Sequence, residues 1–225
     1  MDGRQTFAWR SCIGKIMTKY QPQLFLVTPA FDDREEFAAR LAPVLQAASV
    51  SAVLIAPRAN DEASDSYQRD CKLLAPIIQQ YGGAALTMND TQVSGRSGAD
   101  GIHLTGKVSE ITDVMKRFRP KHIVGTSAGH TRHDAMIKGE TQPDYLMFGS
   151  PFEHDEDHAY TLEMAQWWAE LFEVPCVAMA GQTQDSLRAT IETRSDFIGL
   201  NGFIWNHADG PEVAIKLVQE IIGSS

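Results

Sequence analysis

From near residue 24 to the end, the chain alternates short apolar runs with longer stretches in which apolar residues recur every three or four positions. The short runs fall at 24–27, 52–55, 84–86, 101–104, 122–125, 145–148, 176–179 and 197–200, and read as strands. Between them, Phe37, Leu41, Val44 and Leu45 are spaced i, i+4, i+7, i+8, and Ile111, Val114, Met115 and Phe118 are spaced i, i+3, i+4, i+7. Met164, Trp168, Leu171 and Phe172 repeat the first spacing, and Val213, Leu217 and Ile221 close the chain. Each set predicts a helix that lays one apolar stripe against a sheet.

Eight strands alternating with helices, with no long linker, predict a closed (β/α)8 TIM barrel over 22–225, preceded by an N-terminal extension over 1–21. The rival is a doubly wound open sheet, whose first strand leads into a Gly-rich turn. Here the run 24–27 leads instead into Thr28-Pro29-Ala30-Phe31-Asp32-Asp33, which favours the barrel. In a barrel, chemistry sits in the loops after the strands. Arg58, Asn89, Asp90, Thr126, Ser127, Gly149, Gly181 and Asn201 all follow predicted strands and converge on one mouth.

Composition narrows the field. A 225-residue chain with 43% hydrophobic residues supplies one sizeable core. A formal charge of −9 argues against a nucleic-acid partner, though a small phosphorylated ligand needs only local positive potential. Cys12, Cys71 and Cys176 have no paired metal spacing, so a reduced, cytoplasmic protein is expected. Arg4, Arg10, Lys15 and Lys19 look like the start of a targeting segment, but no apolar run of the required length follows them. No stretch reaches transmembrane length, so no membrane partner is expected.

The candidate residues each carry two readings. Asn89-Asp90 can ligate a hard cation through oxygen or can cap a helix. Gly125-Thr126-Ser127-Ala128-Gly129-His130 offers hydroxyls and backbone N–H groups to an anion or a polar ring edge, or is an ordinary turn. Gly181 and Gly202, after strands seven and eight, suit phosphate on backbone donors, while Gly181 equally suits a tight turn. Glu153-His154-Asp155-Glu156-Asp157-His158 is either a divalent-metal site or a solvated charged loop. In both cases it is hostile to pyrophosphate unless a cation intervenes, since each like-charge pair a few ångströms apart costs on the order of 1 kcal/mol even in water. His103 reads as a core residue or a support for a neighbouring group, and Trp167 and Trp168 read as packing.

Six segments together resemble the thiamine phosphate synthase/TenI superfamily, from about residue 22 to the end. They are Leu24-Phe25-Leu26-Val27-Thr28, Met88-Asn89-Asp90, Gly98-Ala99-Asp100-Gly101-Ile102-His103-Leu104, Ile123-Val124-Gly125-Thr126-Ser127, Asp144-Tyr145-Leu146-Met147-Phe148-Gly149 and Val174-Pro175-Cys176-Val177-Ala178. The resemblance implies binding of small phosphorylated thiamine precursors and a homodimer. It also implies a reaction in which a pyrimidine pyrophosphate joins a thiazole phosphate, with Mg²⁺ assisting release of pyrophosphate. By the same resemblance Asn89 and Asp90 match a metal-side pair, with Asp90 the metal ligand and Asn89 a substrate- or phosphate-binding residue. Ser127 and Arg58 are catalytic, and Gly181 matches one of the two glycines in the loop that receives the thiazole phosphate, with Gly202 a phosphate candidate by its place after strand eight.

The chain departs from that pattern at three places. Where the family has Gln-x-Arg-x-Lys after strand two, Leu54-Ile55-Ala56-Pro57-Arg58 keeps one cation. The second metal carboxylate is replaced by Val108, and the hydroxyls and cation after strand six are replaced by His154-Asp155-Glu156-Asp157. Losing one preorganised donor costs roughly 10²–10³ in turnover. Three readings follow: a divergent synthase, a TenI-like thiazole phosphate isomerase with His130 as proton shuttle, and a non-catalytic protein that binds a thiamine precursor.

Overall fold

The computed structural model describes residues 20–58, 64–152 and 157–224. Eight strands close into one parallel barrel in chain order: β1 Gln23–Val27, β2 Val50–Leu54, β3 Ala84–Met88, β4 Gly101–Leu104, β5 Ile123–Ser127, β6 Tyr145–Phe148, β7 Cys176–Met179 and β8 Phe197–Leu200. Pairing of β8 with β1 completes the ring. Helices α1 Arg34–Ala47, α2 Ser64–Gln80, α3 Thr91–Ser97, α4 Val108–Phe118, α5 Arg132–Gly139, α6 His158–Leu171 and α7 Gln184–Glu192 alternate with the strands. A single turn, α8 Gly202–Trp205, and α9 Pro211–Gly223 follow β8. The (β/α)8 barrel read from the apolar pattern is the fold observed.

The details differ where polar residues hide in strands. β5 runs on through Thr126 and Ser127, because the Thr126 hydroxyl donates to the Leu104 carbonyl (2.8 Å) and is thereby satisfied within the wall. Two predicted stripes also shift. Leu171, at the end of α6, and Val213, in the first turn of α9, are exposed, and α9 buries Ala214, Ile215, Val218 and Ile221 instead. Among the described residues no helix is long and apolar enough to cross a membrane. Residues 1–19 of the predicted extension and the acidic residues Glu153 to Glu156 lie outside the described residues.

Alternate residues of each strand point inward. Phe25, Leu54, Leu86, Tyr145, Met147, Val177, Met179 and Phe197 pack together in the lumen, while the opposite faces pack against the helices. The base of the barrel carries a repeated device. Asp100, Asp144 and Asp196 each stand immediately before an even-numbered strand, β4, β6 and β8. Each accepts the backbone N–H at the start of the preceding strand: Ala85 (2.8 Å), Val124 (2.9 Å) and Cys176 (2.9 Å). A buried N–H left unpaired would be costly, and a carboxylate acceptor makes a charge-assisted bond.

Candidate functional site

At the carboxyl ends of the strands a cavity of about 590 Å³ opens between the loops after β1, β2, β6, β7 and β8. Arg58, Gly181, Gly202, Asn201, Gln182 and Ser150 are among its lining residues, together with the apolar Ala56, Phe152 and Met179. Of the sequence-derived candidates, Arg58, Gly181 and Gly202 therefore meet at one cavity. Asn89, Asp90 and Ser127 stand at the ends of β3 and β5 and are not among its lining residues.

Arg58 is held from three sides. Its Nε and Nη2 donate to the two oxygens of Asp70 (3.0 and 2.9 Å), and Nη1 donates to the Asp32 carbonyl (2.8 Å). The guanidinium also lies 4.8 Å above the Phe31 ring centre. Asp70 is 1% exposed and accepts a second guanidinium, Arg34 Nε at 3.1 Å. Two cations share one carboxylate, so this wall keeps net positive charge although Arg58 is already engaged. Sequence reasoning missed Asp70 and Arg34. The available signal was a charge at position 70 on the stripe Tyr67, Cys71, Leu74 and Ile78, the buried face of α2.

In the loops after β7 and β8, crowding rather than backbone angle bears on the two glycines, tightly at Gly181 and at Gly202 only against the flexible end of Gln182. A Cβ at Gly181 would lie 2.8 Å from Ser186 Oγ, and one at Gly202 would lie 3.1 Å from Gln182 Cδ. Ser186 and Thr183 form a reciprocal cap at the start of α7. His158 supports this loop: Nε2 meets Thr190 Oγ1 at 3.1 Å. The Thr190 hydroxyl proton goes to the Ser186 carbonyl (2.7 Å), so the imidazole is the donor to Thr190.

Asn89 adopts a left-handed conformation (φ 57°), which Asn tolerates better than most residues. Its Oδ1 accepts the Thr105 N–H (2.8 Å) and its Nδ2 donates to Thr105 Oγ1 (3.0 Å), tying β3 to the end of β4. Asp90 is the N-cap of α3: Oδ1 accepts the N–H groups of Gln92 (2.8 Å) and Val93 (2.9 Å). His130 is exposed in the loop before α5, where its carbonyl accepts the Tyr160 hydroxyl (3.0 Å), and it does not line the cavity. Among the described residues no group of three or more His, Cys, Asp or Glu side chains is placed to hold a metal ion. With Asp90 Oδ1 accepting two N–H groups of the cap and no such cluster beside it among the described residues, this chain's own side chains do not build a complete cage for a resident Mg²⁺.

Beneath the mouth lies a buried polar chain. Register sets His103 beside Gly125 and Gly125 beside Tyr145. A Cβ at Gly125 would fall 2.0 Å from the Tyr145 ring, so only glycine there lets the phenol cross the intervening strand. Tyr145 Oη meets His103 Nδ1 at 3.0 Å, and His103 Nε2 meets Ser127 Oγ at 3.0 Å. Lys138 Nζ donates to the Ser127 carbonyl (2.8 Å). Burial, and secondarily the Lys138 charge, pull the His103 imidazole down to about 3, so it is neutral at physiological pH. Desolvation also pushes the Tyr145 phenol well above its ordinary value. His103 is thus the buried support that its strand position indicated.

Fold and mouth together define a (β/α)8 barrel whose cavity is lined by a guanidinium and by glycine-bearing loops. The family model described as Thiamine monophosphate synthase matches residues 24–202. The chain belongs to that family. It is 32% identical over 196 residues to the thiamine-phosphate synthase of Rhodospirillum centenum, covering 86% of this chain and 94% of that protein. It is likewise 32% identical over 198 residues to the thiamine-phosphate synthase of Erythrobacter litoralis, covering 84% and 91%. Among solved structures, a thiamine phosphate pyrophosphorylase from Pyrococcus furiosus superposes with a TM-score of 0.72 at 20% identity, covering 91% of this chain and 97% of that one. That last likeness concerns the fold alone.

Proposed function

We propose that this chain is a thiamine phosphate synthase-like protein of thiamine biosynthesis that binds a thiazole phosphate in the mouth cavity, with its capacity for the pyrimidine pyrophosphate weakened. The observation that carries the reading is the cavity itself: about 590 Å³, lined by Arg58 and by the Gly181 and Gly202 loops. A volume of that order suits one small ligand. A backbone turn without Cβ atoms lets a phosphate approach main-chain donors at the start of α7.

The weakened pyrophosphate side rests on two observations, and on what the family resemblance implies for a third position. Ala56 supplies no charge and Arg58 is engaged with Asp70 and Asp32, while the resemblance implies a carboxylate where Val108 stands. Magnesium enters this proposal with the pyrophosphate rather than as a resident ion. The engagement of Arg58 also favours a second reading, a binding protein that holds a thiamine precursor without turning it over. His130, exposed and outside the cavity, lends the isomerase reading no support.

The deciding assay mixes the purified protein with pyrimidine pyrophosphate, thiazole phosphate and Mg²⁺ and follows thiamine phosphate. Thiazole phosphate is expected to bind saturably, and Arg58→Ala to weaken that binding. Turnover is expected to be slow by the roughly 10²–10³ that one lost donor costs. Turnover as fast as a synthase with the full cationic cradle would overturn the weakened-site reading. Absence of binding by any phosphorylated thiamine precursor would overturn the whole proposal.

A further inference from the structure

Arg34 at the first position of α1, Asp70 in α2 and Arg58 in the loop after β2 meet where Arg58 lines the cavity. A guanidinium carries five N–H donors. Arg58 commits three of them: Nε–H and one Nη2–H to the Asp70 carboxylate, and one Nη1–H to the Asp32 carbonyl. One N–H on each Nη is left without an acceptor among the described residues. The face of the group lies over Phe31, and Phe31 is stacked on Phe37 with ring centres 4.6 Å apart. Arg58 is therefore held on one edge and one face. Asp70 by itself would also cancel the charge that it holds in place. Arg34 Nε lies 3.1 Å from the same Oδ1 that accepts Arg58 Nη2, so the carboxylate is shared between two cations. The Asp70 side chain is 2% exposed and both arginine side chains are 22% exposed, so the shared carboxylate is shut from water while the cations are not.

We propose that Asp70 and Arg34 are positioning residues: Asp70 orders Arg58 before a ligand arrives, and Arg34 restores the positive charge that this ordering removes. The two N–H donors left to Arg58 fit one edge of a single phosphoryl group. A pyrophosphate asks for donors at two phosphorus centres, and the rest of Arg58 is already committed. The triad thus selects a ligand with one phosphoryl group over a ligand with two. This inference rests on the proposed function for the organic part of the ligand only.

Calorimetric titration without Mg²⁺ tests it, with thiazole phosphate, the unphosphorylated thiazole alcohol, inorganic phosphate and inorganic pyrophosphate as probes. The two positioning roles respond to salt in opposite ways. Arg34→Gln is expected to weaken thiazole phosphate binding about threefold to tenfold at low salt, the effect of one nearby charge. At about 1 M salt, where charges are screened beyond about 3 Å, that loss disappears. Arg34→Lys, which keeps the charge, recovers most of it. Asp70→Asn adds net positive charge, yet at about 1 M salt it is expected to bind thiazole phosphate about twofold to tenfold more weakly. Arg58 must then be ordered on binding rather than beforehand. The ratio of pyrophosphate to phosphate affinity rises in the same variant, since Arg58 recovers committed donors. Neither Arg34→Gln nor Asp70→Asn changes binding of the alcohol. A loss in Arg34→Gln that is equal at both salts, or that extends to the alcohol, marks damage to the fold and overturns the inference. Unweakened binding by Asp70→Asn at high salt overturns it too. Should the wild type take inorganic phosphate but no thiazole compound, the functional reading fails and the same comparisons made with phosphate decide the triad. A wild type that takes neither overturns both.

Discussion

At His103 the desolvation that keeps the imidazole neutral also makes the fold sensitive to acid. The ring binds a proton near its ordinary value of 6.5 when the chain is unfolded but only at about 3 in the native state. Between those values the unfolded state holds more protons, so stability is full above about pH 6.5 and falls as pH drops through that window. At about pH 4.5 the loss is on the order of 3 kcal/mol. Urea midpoints measured across that range should fall in the wild type and stay flatter in His103→Gln, which is itself less stable at neutral pH. A slope that survives this substitution would assign the effect to other groups. The burial of His103 was legible, since it stands within an apolar run. Its partners were not. Tyr145 lies two strands away and reaches the ring only because position 125 has no side chain, a fact of register that linear spacing does not carry.

The elements themselves were legible because each strand is a dense apolar run between amphipathic helices, and all eight runs became strands. What stayed hidden is what the ends of those elements do. Asn89 and Asp90 follow β3 as expected, and their side chains are bound to Thr105 and to the start of α3. Cap and metal ligand use the same atoms, so sequence alone leaves both readings open. The aspartates at the base are a plainer case. Asp100, Asp144 and Asp196 each fall one residue before an apolar run, a regularity visible only once the runs are known to be strands of one barrel. Asp196→Ala leaves the Cys176 N–H without its acceptor and should cost about 1–3 kcal/mol in chemical denaturation. Asp196→Asn, which keeps an acceptor oxygen, should recover part of that loss. Equal losses in both variants would mean that the carboxylate's charge matters more than the bond.

Across the whole molecule, the net charge of −9 and the proposed binding of a phosphate at the mouth are reconciled locally. Arg34 and Arg58 share one buried carboxylate, so a positive spot persists on an acidic protein. Ligand binding at that mouth should appear as a rise in melting temperature. At a hundred times its dissociation constant a ligand adds about 2.7 kcal/mol of stability. Thiazole phosphate is expected to raise the wild-type melting temperature and to raise that of Arg58→Ala less. Equal shifts would place the ligand away from Arg58.

The aspartates at the base have a consequence for how such a barrel changes over time. A closed barrel is defined by its shear, the total stagger accumulated on going once around the strands. Three of the eight seams are fastened at their lower ends by Asp100, Asp144 and Asp196, and a slip at any of them would strand a carboxylate and an amide together. The loops at the opposite rim can then lengthen, shorten or exchange charges without disturbing that stagger. The end of the molecule farthest from the ligand is what leaves the mouth free to diverge.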